Sequence, residues 1–173
     1  WRFILYALGG WAAFVLAWTV VRASESLPVA CRIPISIANL RNNYHQILTN
    51  RYSVGYAVAS SLSFGGVIAY VSSAQQVFVD EFGAGERFTL LFAICAAAMG
   101  FASFANSQLV ERLGTRLISQ SAVLALIVIS TIHVLVVYTG SETLITFTIL
   151  QAFSMTCIGL CGANFGSMAM EPV

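Results

Sequence analysis

Five long runs of the sequence contain no Asp, Glu, Lys or Arg at all, and this decides what the chain can fold into. They are Phe3–Val21, Ser53–Val79, Phe88–Val110, Leu117–Gly140 and Leu144–Met170. A helix crossing a bilayer needs roughly 17 to 25 mostly apolar residues. Each run meets that length, so lipid is the solvent that most of the chain encounters. In lipid every backbone N–H and C=O must be satisfied within the segment, which leaves helix as the spanning form. The expected fold is therefore an all-α integral membrane protein with five transmembrane helices. Charged residues make up 9% of the chain, far below the roughly 25% of soluble domains, and they collect at the ends of the runs.

Their distribution sets an expected orientation, because Lys and Arg are enriched in short cytoplasmic loops. Arg22, Arg32, Arg41 and Arg51 lie between the first two runs, and Arg112 and Arg116 between the third and fourth. Asp80, Glu81, Glu86 and Glu142 gather on the opposite side with Arg87. Segments 22–52 and 111–116 are thus expected in the cytoplasm. The first run exceeds the 7 to 15 residues of a signal-peptide core, which favours a retained span. The chain opens on Trp1 and ends on "MAMEPV", and it reads as a piece of a longer protein.

Segment 22–52 carries its own pattern. Pro28 and Pro34 interrupt it, and then Leu40, Tyr44, Ile47 and Leu48 recur at helical spacing against Arg41, Asn42, Asn43 and Gln46. That is the pattern of a short amphipathic helix at the membrane surface, with His45 on its polar face. The connections 80–87 and 140–142 are short, so the flanking spans should form antiparallel hairpins.

Polar groups within the spans mark the candidate sites. At 100° per residue, Tyr56, Ser60, Ser63 and Tyr70 fall on one stripe of the second span, with Phe64 beside it and Gln75 and Gln76 at its outer end. Such a stripe suits a water-filled cavity; the alternative is that the serines bond back to their own helix. In the fifth span Gln151 and Met155 share a face with Phe147 and Ile158, a surface able to accommodate varied apolar ligands or simply to pack. Gly162 and Gly166 there form a small-xxx-small pair, and the third span has Ala93, Ala97, Ala98, Ala102, Ala105 and Asn106, so both should make close helix contacts. His133 in the fourth span is a functional candidate by its location alone. Cys157 and Cys161 share a face, but no His or carboxylate is near them in sequence, and contact residues are the better reading than metal ligands. No nucleophile elbow, paired-histidine motif or phosphate-cradling glycine loop is present. The expectation is a protein that is not an enzyme, with no metal, no cofactor and no nucleic-acid partner.

The densest charge cluster supplies a resemblance. In "NSQLVERLGTR", Asn106, Ser107, Glu111, Arg112, Gly114 and Arg116 resemble the signature hairpin of the major facilitator superfamily, with Ser107 in place of Gly, Glu111 in place of Asp and Thr115 in place of one basic residue. "WRFILYALGG", "SESLP" (24–28), the stretch 50–83 and "GLCGANFGSMAMEPV" resemble the Bcr/CflA drug-resistance branch, with Ala163 where that branch usually has Pro.

The resemblance implies a twelve-helix carrier of which this chain holds about the sixth to the tenth helix. Residues 1–21 would be the sixth-like helix, 22–52 the cytoplasmic loop between bundles, and 53–173 the first four helices of the C-terminal six-helix bundle. It implies proton-driven multidrug efflux by alternating access in a bacterial inner membrane, with small lipophilic drugs or metabolites, protons and the bilayer as partners. Tyr56, Ser60, Ser63, Phe64, Tyr70, Gln75, Gln151 and Met155 would contact substrate. Ser107, Glu111, Arg112, Gly114 and Arg116 would form a gating loop. Proton-carrying carboxylates would lie outside this chain. A carrier of one neutral metabolite and a non-transporting helical scaffold are the alternatives; the absence of charge in the spans argues against a carrier of charged solutes.

Overall fold

The computed structural model describes residues 2–23 and 36–171. The "SESLP" segment, Cys31, Arg32, Pro34 and Pro172 lie outside the described residues. The chain divides into two units, 1–40 and 41–173.

The first unit contains α1, Arg2–Arg22. It is apolar on every side, as a lipid-embedded helix should be. Its aromatic ladder consists of Trp11, Phe14 and Trp18, with ring centroids 5.8 and 6.1 Å apart. The Arg22 guanidinium closes the ladder, 5.5 Å from the Trp18 ring, in a cation–π contact at the span's end. The helix α2, Ile37–Thr49, follows. Ser36 starts it by accepting a hydrogen bond from the Asn39 N–H at 3.1 Å, the usual role of a serine N-cap. Leu40, Tyr44, Ile47 and Leu48 are exposed along α2, as are Arg41, Asn42, Asn43 and Gln46.

In the second unit α3 runs Arg51–Gln75 and continues as a π-helical turn, Gln76–Glu81. The Asn50 side chain caps it by accepting from the N–H groups of Tyr52 and Ser53. A short 3₁₀ turn, Gly85–Arg87, leads into α4, Phe88–Leu113. Gly114 then reverses the chain at φ +80°, ψ 154°, a conformation open to glycine and strained for other residues. Helices α5, Thr115–Tyr138, and α6, Leu144–Met170, complete the unit. α6 is continuous through Ala163, and Thr143 caps its start by accepting from the Thr146 N–H. All five of the long helices, α1 and α3 to α6, are long and apolar enough to cross a membrane.

α6 is the hub, packed on α3, α4 and α5. It approaches α4 tightly at Gly159. A Cβ placed there would lie 2.5 Å from the Met99 carbonyl oxygen and 3.1 Å from Ala102 Cβ. The same crossing holds a hydrogen bond from Ser103 Oγ to the Gly159 carbonyl at 3.2 Å. One turn further, Asn106 and Asn164 exchange reciprocal amide bonds of 3.0 and 2.9 Å, both buried. The expected contact pair, Gly162 and Gly166, has open space around it instead. On α4 it is Cys95, Ala102 and Asn106 that are buried, while Ala93 and Ala97 face outward. The reason is geometric: two helices cross closely over one short stretch, and spacing within one helix does not say where along its length the partner crosses.

Two apolar clusters form on either side of this crossing. Tyr70, Ala74, Phe78, Cys95 and Met155 make one, extended by the Phe78–Phe147 edge contact at 5.3 Å. Ala122, Cys161, Phe165 and Met168 make the other. Leu90, Phe101, Phe104, Ile127 and Phe153 are exposed, which suits lipid-facing surfaces. The ends of the unit differ in charge. Arg51, Arg112 and Arg116 lie at one end with Glu111 and Glu171, and Asp80, Glu81, Glu86 and Glu142 at the other with Arg87.

Candidate functional site

Two cavities follow each other along the crevice between α3 and α5, with α6 as their floor. The one nearer the acidic end has a volume of about 780 Å³ and the one nearer the arginine-bearing end about 520 Å³. Both fall in the size range of small-molecule pockets.

The acidic-end cavity takes Ser63 and Gly66 from α3, Ser130 and His133 from α5, and Gln151, Ser154, Met155 and Ile158 from α6. No carboxylate, lysine or arginine lines it. Ser63 and Ser154 donate back to the carbonyls of Ala59 and Leu150, at 2.9 and 3.0 Å. Their protons are therefore engaged within the helix and their oxygens remain as acceptors. Gln151 is half-buried and makes no hydrogen bond to a described residue. An amide carries two donors and an acceptor, and deep in a membrane span such groups need partners. Gln151 is the main polar group this cavity offers to an occupant.

His133 stands on the wall of this cavity. Its Nε2 is 2.9 Å from Glu142 Oε1, and its ring meets Phe147 edge-on at 5.4 Å. Glu142, from the α5–α6 connection, was not anticipated as its partner; the available clue was that the acid follows the end of the same span. Ser154 was also missed, although it sits three positions after Gln151 on one helix face.

The expected substrate stripe on α3 divides along its length. Ser63 lines the acidic-end cavity, and Tyr56 lines the other, stacked on Phe165 with centroids 6.3 Å apart. Tyr70 lines neither. It is buried in the first apolar cluster with its ring parallel to Phe92 at 5.6 Å. Ser60 is half-buried, Phe64 is 67% exposed and Gln75 is exposed, all three outside both cavities. On α6, Gln151 and Met155 both line the acidic-end cavity.

At the hairpin, Ser107 Oγ donates to the Phe104 carbonyl at 2.7 Å, and Gly114 makes the turn. Glu111 and Arg112 are exposed, and Glu111 has no hydrogen bond or ion pair among the described residues. The ion pair here joins Arg116 to Glu171 at the end of α6, at 3.5 Å and well exposed. Such exposed pairs contribute about 0–1 kcal/mol. Among the described residues no group of three or more His, Cys, Asp or Glu converges as metal ligands would. Cys157 and Cys161 are buried among helix contacts.

No family model matches the chain, and no solved structure matches it. Two curated proteins do. A bicyclomycin resistance protein homolog of Haemophilus influenzae is 29% identical over 117 residues, covering 66% of this chain and 29% of that protein. The MFS-type transporter YdgK of Bacillus subtilis is 27% identical over 175 aligned positions, covering 99% of this chain and 42% of that protein. The chain thus spans less than half the length of either relative. Neither name is that of an enzyme. Five apolar helices of membrane length among the described residues mark a multi-pass membrane protein, and one of the two proteins it is similar to is named an MFS-type transporter.

Proposed function

We propose that the chain is part of a proton-driven exporter of small lipophilic molecules, of the Bcr/CflA type, working by alternating access in a bacterial inner membrane. In this reading α1 is the sixth-like helix, 22–52 the loop between bundles, and α3 to α6 the first four helices of the C-terminal bundle. The arginine-bearing end faces the cytoplasm, in keeping with the positive-inside rule. The hairpin of Ser107, Glu111, Arg112, Gly114 and Arg116 acts in gating. The name of the H. influenzae relative supports the drug-resistance branch.

The single observation that carries the ligand-site assignment is the unbonded Gln151 amide, beside Met155 and Ile158, in a cavity that no carboxylate, lysine or arginine lines. Such a wall binds by buried area, with one adaptable amide and few hydrogen bonds to restrict ligand shape. Ser63 adds an acceptor. Gln151→Ala in the full-length protein should change the range of drugs tolerated by expressing cells at unchanged protein abundance. A tolerance profile identical to wild type at equal abundance would remove Gln151, and with it this cavity, from the ligand path.

A further inference from the structure

The second cavity carries a different chemistry. We infer that the crevice between α3 and α5 at the arginine-bearing end seats an anionic phospholipid, its phosphate held by Arg51 and Arg116 and one acyl chain lying along the crevice. This goes beyond the export reading and rests only on the membrane orientation given there.

Arg51 and Arg116 both line the same cavity of about 520 Å³. Each stands in the first turn of its helix, so the positive ends of α3 and α5 add to the two guanidinium charges. No carboxylate lines the cavity. Arg51 uses one donor on the Tyr52 hydroxyl at 2.9 Å and lies 4.9 Å from the centre of that ring. A guanidinium has five donors, so this contact leaves Arg51 able to grip a phosphate. The carboxylate nearest to Arg116 is Glu171 at 3.5 Å, and with side chains 73% and 51% exposed that pair is solvated and exchangeable.

Beyond the arginines and the polar pair Ser119 and Gln120, the lining becomes apolar: Gly55, Ala59, Val123 and Leu124 form a strip along the crevice. Tyr52 and Tyr56 also line this cavity near the basic end, as amphipathic aromatics do at membrane boundaries. A cavity with cationic donors at one end and an apolar strip below matches an amphiphile better than a free anion, which would leave the strip unused. Basic pockets between membrane helices on the cytoplasmic side are recognised lipid headgroup sites. A zwitterionic choline headgroup would bring its own positive charge against the two arginines.

Native mass spectrometry of the full-length protein, released from detergent with phosphatidylglycerol or phosphatidylcholine at equal concentration, tests this directly. The wild type should retain one phosphatidylglycerol with about a tenfold preference over phosphatidylcholine. R51Q/R116Q should abolish the preference and R51K/R116K should largely keep it. Ala59→Phe, which fills the apolar strip without touching the arginines, should reduce retention. Equal retention of the two lipids by the wild type would overturn the proposal whether or not the variants fold. So would displacement of the lipid by millimolar inorganic phosphate together with no effect of Ala59→Phe, which would mark a site for the free anion.

Discussion

Gly159→Ala is the sharpest structural test, because at this position the close packing of α4 on α6 depends on one missing methyl group. A Cβ would meet the Met99 carbonyl oxygen at 2.5 Å and Ala102 Cβ at 3.1 Å. The first contact is backbone, so no side chain can swing aside, and the helices must part by roughly 0.5–1 Å. A gap of that size forfeits about a quarter to a half of the dispersion energy at each separated contact, and dispersion is the main force joining helices in lipid. It would also stretch the Ser103 hydrogen bond to Gly159. Overpacking of this kind costs about 1–3 kcal/mol.

Gly162→Ala is the matched control. It lies on the same helix, and a Cβ there has nothing within 4 Å, so the two variants share the intrinsic change in helix propensity and differ in contact alone. Unfolding of the full-length protein by sodium dodecyl sulfate in mixed micelles should rank Gly159→Ala about 1–3 kcal/mol below Gly162→Ala. Two variants equal within about 0.5 kcal/mol, the spread of a neutral substitution, would refute the α4–α6 crossing described here.

Three further outcomes follow from the contacts. Asn106→Ala should cost about 1–2 kcal/mol by stranding the Asn164 amide, while adding Asn164→Ala should cost little more, and a double-mutant cycle should give a coupling of about 0.6–1.7 kcal/mol; zero coupling would contradict the reciprocal bonds. Tyr70→Ala should lower stability by about 3–5 kcal/mol through loss of a buried ring, whereas Tyr70→Phe should stay near wild type, as measured by the same unfolding assay; equal tolerance of both would place Tyr70 outside the core. Glu111→Ala should leave stability within about 0.5 kcal/mol, since the side chain is exposed, yet change the labelling rate of a cysteine introduced at Gln120, a residue lining the arginine-end cavity. Unchanged labelling would leave Glu111 without a role in gating.

The long helices were legible because their boundaries are electrostatic: a charge in hydrocarbon is costly, so Arg22, Arg51, Glu81, Arg112 and Glu142 fall at or beyond the ends of the spans. The α4–α5 hairpin was legible for a similar local reason, since Gly114 permits a turn that few residues can make. The α3 stripe was legible as a face but not as a site. Tyr56, Ser63 and Tyr70 are seven apart and point alike, yet α4 covers the helix at Tyr70 while α5 and α6 leave a cavity at Ser63. Periodicity gives direction around an axis; depth along it depends on where the neighbours cross. The Asn106–Asn164 pair was hidden for the same reason, because it joins two helices whose vertical register is set by packing.

We propose that residues of this chain form part of a proton-driven export path for lipophilic molecules. The most direct test is accumulation of chloramphenicol and of a fluorescent lipophilic cation in cells expressing the full-length protein, with and without a protonophore. Lower accumulation than in control cells, abolished by the protonophore, is the predicted result. Accumulation of both compounds indistinguishable from control cells under either condition would contradict the claim.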